Sequence, residues 1–284
     1  MKPAQLTAIG AAVVLTAGIY FGTNRVPPPK VNANAKPARP AEGAMHQKVS
    51  EASFDSILLA SKVQLPKAEQ EALKKLESEA TKHTEGADGA KACAAIADLW
   101  KKNNNGLMYA YYSAQSGKLE NSAKQLTFAA QLFLNEIEKA TSESVQSWEI
   151  SQATGFLEAS LKIDSNNNET KLALATIYVQ GGGEPMKGVM LLRGITEKNP
   201  DDVPANMLLG RMSIQSGQND KAIKRFETVL KKDPQNSEAM FFLAQAYEAL
   251  GNKSKAIELL TQCKKLVNKP EFSREIDEKI NTLK

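Results

Sequence analysis

Two adjacent segments of the chain share one length and one pattern of small residues. "VPANMLLGRMSIQSGQNDKAIKRFETVLKKDPQN", from Val203 to Asn236, and "SEAMFFLAQAYEALGNKSKAIELLTQCKKLVNKP", from Ser237 to Pro270, are thirty-four residues each. Gly210 and Ala222 of the first hold the places of Ala244 and Ala256 of the second. In the second copy a Gly251-Asn252 turn separates two stretches of helical periodicity, so each unit reads as a pair of helices. A unit of this size cannot bury its apolar face alone, and copies must stack on their neighbours. The small residues then have a physical reason. A hydrogen or methyl lets the two helices approach closely, and a larger side chain forces them apart at a cost of about 1 to 3 kcal/mol.

These units resemble tetratricopeptide repeats. In that family the eighth and twentieth positions are small and a Pro near the thirty-second ends the second helix. Gly210, Ala222 and Pro234 match in one unit, and Ala244 and Ala256 in the next, with Tyr247 at the eleventh position and Gly251 in the turn. One repeat earlier, Asn168 to Asp202 fits with one extra residue in its Gly181-Gly182-Gly183 turn, and Ala175, Tyr178, Gly188 and Pro200 take the signature places. Farther back the pattern degenerates. Ala153 holds a small position before "SLKIDSNN", its first helix falling in "AKQLTFAAQLFLNEIEKA", while Ala97, Trp100 and Ala110 mark a shorter pair. No unit has Trp at the fourth position, where Lys171, Asn206 and Met240 stand. The resemblance implies an all-α fold, a right-handed superhelical array of helix pairs. It divides the chain into a helical pair over 50–87, two degenerate units over 88–167, three repeats over 168–270 and a capping helix over 271–284. In the first pair Phe54, Ile57, Leu58 and Ala60 share a stripe after a Ser50 cap, and Pro66 fits the first turn of the next helix. In the last helix Phe272, Ile276 and Ile280 share a face.

The N-terminus follows a different logic. "LTAIGAAVVLTAGIYFG", Leu6 to Gly22, carries no charge and with its flanks approaches the roughly 20 residues that cross about 30 Å of hydrocarbon. Residues 1–24 are therefore expected to form a single transmembrane helix, with Tyr20 and Phe21 at the interface. A cleaved signal peptide is the competing reading, because Thr16-Ala17-Gly18 offers small residues to a peptidase. Residues 25–49, rich in Pro, Ala and Asn, suit an extended linker. Charges on both sides pull the topology both ways. Lys2 and the short tail favour an extracytoplasmic repeat domain on a single-pass protein of a bacterial inner membrane, against Arg25, Lys30, Lys36 and Arg39 beyond the segment.

Charge and rare residues exclude several function classes. Lys and Arg number 36 against 32 Asp and Glu, but six of those bases and only Glu42 fall in the first 48 residues, leaving 30 against 31 afterwards. No basic face interleaved with aromatics is visible, so nucleic-acid binding is not expected. Cys93 and Cys263 sit in apolar helical patterns and read as core residues, neither a disulfide framework nor a metal spacing. His46 lies in the linker and His83 at a polar helix end, so neither pairs with a nucleophile, and two His build no common zinc site. The Gly181-Gly182-Gly183 run lacks the Gly-Lys-Ser/Thr of a phosphate loop and reads as a turn. Asp201, Asp202 and the Asn103–Asn105 and Asn166–Asn168 runs read as helix ends and turns. The expectation is no catalytic residue, no metal and no cofactor.

What remains is recognition of another protein. In the family, the first helix of each pair lines a concave groove. The resemblance maps that surface to Leu172, Thr176 and Val179 in one repeat, Met207, Arg211 and Gln215 in the next, and Phe241, Gln245 and Glu248 in the last. Leu172, Met207 and Phe241 recur at the fifth position, where they either pack against neighbouring helices or take an apolar peptide whose direction Arg211 and Glu248 set. The Lys and Asn set with which some family members clamp a C-terminal carboxylate is absent. The chain reads as a membrane-anchored scaffold for a protein or peptide partner, with a homo-oligomer left open. A holding chaperone or assembly factor for secreted or envelope polypeptides is the alternative, and a hydrolase the reading from another class.

Overall fold

The computed structural model describes residues 50–180 and 184–284. The expected membrane segment over 1–24, the linker over 25–49 and the Gly181-Gly182-Gly183 turn lie outside the described residues. Among the described residues there are thirteen α-helices and no strand. They are α1 (Phe54–Val63), α2 (Lys67–Lys82), α3 (Gly86–Lys102), α4 (Gly106–Leu119), α5 (Ala123–Glu136), α6 (Glu143–Ile163) and α7 (Asn168–Gln180). There follow α8 (Pro185–Lys198), α9 (Val203–Gln215), α10 (Asn219–Lys232), α11 (Ser237–Ala249), α12 (Lys253–Val267) and α13 (Pro270–Leu283). No described helix is long and apolar enough to cross a membrane.

Side-chain caps set where many of these helices begin. Asn105, Ser122, Ser142, Asn236 and Asn252 each accept, through the side chain, the backbone N–H three residues ahead, satisfying a donor the helix cannot pair itself. Asp202 does the same for Ala205 at 3.0 Å, so one of the paired aspartates is a cap. Asn104, between α3 and α4, has φ 56, a left-handed conformation that Asn tolerates. The first helix corrects the sequence reading. Its cap is Ser53, whose Oγ accepts from the Ser56 amide at 3.2 Å, and not Ser50. Ala52, just ahead of that cap, is held elsewhere, its N–H donating to the Ser144 carbonyl at 3.0 Å.

Two compact units divide the described helices near residue 208, within α9. In residues 50–208, Phe54 of α1 stacks on Tyr111 of α4 at 4.2 Å and lies 6.1 Å from Trp148 of α6. Trp148 meets the Phe133 ring of α5 edge-on at 5.9 Å. Trp100, Met108, Ala110, Phe133, Ala153 and Leu157 are fully buried around this aromatic set. A buried hydroxyl cluster joins three helices. Thr127 lies 2.9 Å from Ser160 and 2.6 Å from Thr170, and both Thr127 and Ser160 donate to the Ala123 carbonyl, so these polar groups are satisfied away from water.

The signature positions of the repeat are packing positions. A Cβ on Gly188 would stand 2.9 Å from the Ala175 carbonyl oxygen and 2.8 Å from Val179 Cγ2. In residues 209–284, a Cβ on Gly210 would stand 2.6 Å from the Phe226 ring, so α9 and α10 approach to contact there. Ala222, Ala244 and Ala256 are fully or almost fully buried. Gly217 and Gly251 hold equivalent turns with φ 71 and 78, where a side chain would be strained. Tyrosine at the eleventh position does a second job: Tyr178 donates to Glu158 at 2.8 Å and Tyr247 to Glu227 at 2.9 Å, each reaching the helix before it. Lys187 and Lys255 lie over the respective rings at 5.5 and 4.7 Å. At the C-terminus, Phe272, Ile276, Ile280 and Leu283 of α13 close an apolar cluster with Met240, Ala244, Leu260 and Cys263. Both cysteines are free thiols.

Candidate functional site

Positions 238, 241, 245 and 248 fall on one face of α11 by helical spacing, and 211 and 215 on one face of α9. Gln215 is exposed, while Arg211, Phe241, Gln245 and Glu248 are half-buried. Arg211 is held in place by its own chain. Its guanidinium lies 5.5 Å from the centre of the Phe242 ring, and Nη1 is 3.8 Å from Glu238 Oε1. Burial raises the Glu238 carboxyl above the usual carboxylate range although Arg211 pulls the other way. Phe242 stacks on Phe226 at 5.8 Å and meets Phe241 edge-on at 5.7 Å, a row of rings spanning α10 and α11. Phe241 also leans on the apolar cluster closed by α13. Glu248 accepts from Lys279 of α13 at 2.7 Å.

The two charges expected to orient a ligand therefore have intramolecular partners. With the half-buried Gln245 they give this face aromatic-edge, amide and paired-charge character, and Gln215 on α9 is exposed. Helical periodicity could not reveal Glu238, Phe242 and Lys279, because the partner of each lies on another helix.

In residues 50–208, positions 172, 176 and 179 fall on one face of α7 by helical spacing. Leu172 is half-buried on α7. The Thr176 hydroxyl donates to the Leu172 carbonyl at 2.9 Å and is used within the helix. Val179 turns a methyl toward Gly188 and packs across its own helix pair. Met207 is 9% exposed, which matches the packing alternative for the fifth position at this residue.

A cleft that the sequence did not mark lies beside α1. A half-open space of about 270 Å³ is lined by residues that include Ile57, Gln64, Asn105, Leu107, Glu136 and Glu149, and it shares wall residues with a second space of about 450 Å³ lined in part by Trp100. Ser61, Gln64, Asn105, Leu107 and Glu136 line both. Glu149 is 2% exposed and its Oε2 has no hydrogen-bond partner; the fully buried Trp100 has none at Nε1. Burial first, and then the charge of Glu136, push the Glu149 pKa up to about 7. One signal could have found it. Val145, Glu149, Ala153 and Phe156 repeat at helical spacing, so a carboxylate stands on the apolar stripe of α6. Among the described residues no group of three His, Cys, Asp or Glu is placed to hold a metal ion.

Comparison with known proteins agrees with the repeat pattern. Residues 213–272 match the family described as Tetratricopeptide repeat. The crystal structure of MamA protein superposes with a TM-score of 0.51 at 16% identity, covering 62% of this chain and 91% of that one. MamA 41-end from Desulfovibrio magneticus RS-1 gives a TM-score of 0.52 at 16% identity over 63% of this chain and 96% of that one. At such identities the likeness is one of fold. No curated protein sequence matches the chain.

Proposed function

We propose that this tetratricopeptide-repeat chain is a membrane-anchored scaffold that binds a protein or peptide partner through the first helices of its repeats, arranged as a right-handed superhelical array. The observation that carries the reading is the α11 face. It lies inside the residues that match the family, and it keeps Phe241, Gln245 and Glu248 partly open to solvent beside a fixed row of aromatic rings. Such a surface offers apolar contact with a few placed polar groups, which is how a helical groove holds a peptide segment. The uncharged Leu6–Gly22 run supports a single-pass anchor, and the Pro/Ala-rich stretch after it supports a tether between membrane and repeats. In this reading the repeats face the extracytoplasmic side of a bacterial inner membrane, which Lys2 on the N-terminal flank of the uncharged run supports.

Photo-crosslinking of the full chain in its native membranes tests this reading. A crosslinking residue at Gln215 or Gln245 is expected to capture the same single polypeptide, and one at the exposed Met186 of α8 is not. Many unrelated polypeptides captured from both groove positions would move the reading to a holding chaperone for unfolded clients. No adduct from either position would remove the groove as a binding surface.

A further inference from the structure

Residues 209–284 carry fourteen Lys and Arg against ten Asp and Glu, and three of that excess of four charges sit on α10 alone. Positions 221, 224, 225, 231 and 232 share about a third of the circumference of α10. Their arc runs for about 16 Å and holds five cations with Thr228 among them, while Asp220 and Glu227 fall outside it. Lys221, Lys224, Lys231 and Lys232 are exposed. Among the described residues Lys224, Lys231 and Lys232 have no carboxylate partner, and Lys221 Nζ donates to the neutral Gln218 Oε1 at 2.6 Å. Helix stability does not account for this face. Lys231 and Lys232 complement the dipole in the last turn, but Lys221 stands in the first turn, where a cation is disfavoured. Lys221 and Lys224 are also like charges three residues apart, a further cost to the helix. A negative surface laid against the arc offsets both.

The kind of surface follows from what the arc lacks. Protein partners are held chiefly by aromatic and apolar anchors, and single-stranded nucleic acid by stacking on aromatic rings, but no apolar or aromatic side chain stands on this arc. A layer of anionic lipid headgroups needs charge alone. Residues 25–49 can span no more than about 90 Å, so a chain anchored by Leu6–Gly22 keeps its repeats within reach of the bilayer. We propose that the basic face of α10 docks on the headgroups of an anionic lipid surface, drawing residues 209–284 onto the bilayer. The proposal rests on the membrane-anchored reading and uses none of the expected groove residues of α9 and α11.

A photo-crosslinking residue at Thr228 tests it, with the full-length chain reconstituted in vesicles of phosphatidylcholine alone or of phosphatidylcholine with phosphatidylglycerol. Mass spectrometry is expected to find lipid adducts only in the anionic vesicles at low salt. Salt at about 1 M, where the screening length falls to about 3 Å, should remove them. Lys224→Glu combined with Lys231→Glu should lower the adduct yield about tenfold or more, whereas Lys224→Arg combined with Lys231→Arg should preserve it. Equal yields in the two kinds of vesicle, a yield that survives high salt, or a yield untouched by the paired Glu changes overturns the proposal. So does the absence of lipid adducts from anionic vesicles. A polypeptide or nucleic-acid adduct from Thr228 in native membranes, with no lipid adduct, makes an acidic macromolecule the occupant and overturns the lipid assignment. Retention of the chain by either vesicle under alkaline carbonate reports the anchor by itself. Loss of that retention would sink the membrane-anchored reading, and Thr228 adducts formed when anionic vesicles are added to the released chain would still decide the role of α10.

Discussion

A carboxylic acid enclosed by α1, α5 and α6 makes stability depend on pH in a direction opposite to that of most acids. Glu149 titrates near 7 in the folded chain, well above its ordinary value, because burial and the Glu136 charge disfavour the ionised form. The folded state therefore holds a proton that the unfolded state has already released between the two pKa values. Stability is full below the ordinary carboxyl range and falls as pH rises through about 7. Glu149→Gln removes the titration. Urea unfolding at pH 5 and pH 8 should show a decline in the parent chain, on the order of 2 to 3 kcal/mol, that the variant lacks. A decline of equal size in both chains would mean that Glu149 reaches solvent or a cation. At this scale the sequence was partly legible. Gly188, Gly210, Ala244 and Ala256 could be read as packing residues from spacing, since steric size is a property of the residue itself. Whether Arg211 and Glu248 have partners within the chain was not legible, because Glu238, Phe242 and Lys279 come from other helices or other turns.

Between elements, the contact of Gly210 with Phe226 governs how closely α9 and α10 approach. Because the nearest atoms are three carbons of one rigid ring, a new side chain cannot be accommodated by rotating a flexible tip. Gly210→Leu should lower stability by about 1 to 3 kcal/mol through overpacking. Phe226→Leu removes the ring edge and should cost stability on the parent background, yet recover part of the loss when combined with Gly210→Leu. Thermal melts of the four chains complete a double-mutant cycle, and simple additivity would show that the two residues do not share that space. Helix pairs were readable where the thirty-four-residue period is strong, because there each local signal, small residue, turn glycine and following proline, agrees with the others. Over α1 to α6 the period is lost. The way α1 lies against α4 and α6 through Phe54 depends on aromatic contacts between segments far apart in sequence, which no local pattern records.

For the whole molecule, the proposed function requires that the repeats stay attached to a membrane. No described helix is long and apolar enough to cross a membrane, so the proposed anchor is the Leu6–Gly22 run outside the described residues. An uncharged run of this length is held by burial of its side chains in hydrocarbon and not by salt-sensitive contacts, so alkaline carbonate should not release it. The full chain is expected to sediment with membranes after carbonate treatment, and a chain lacking residues 1–24 to remain soluble with its helix content intact. A phosphatase fused after Lys284 should be active if the repeats face outward, and a cytoplasmic reporter at the same place should be silent. Recovery of a soluble protein whose N-terminus has become Ile19 would convert the anchor into a cleaved signal. An active cytoplasmic reporter beside a silent phosphatase would instead keep the anchor and reverse the side on which partners are sought.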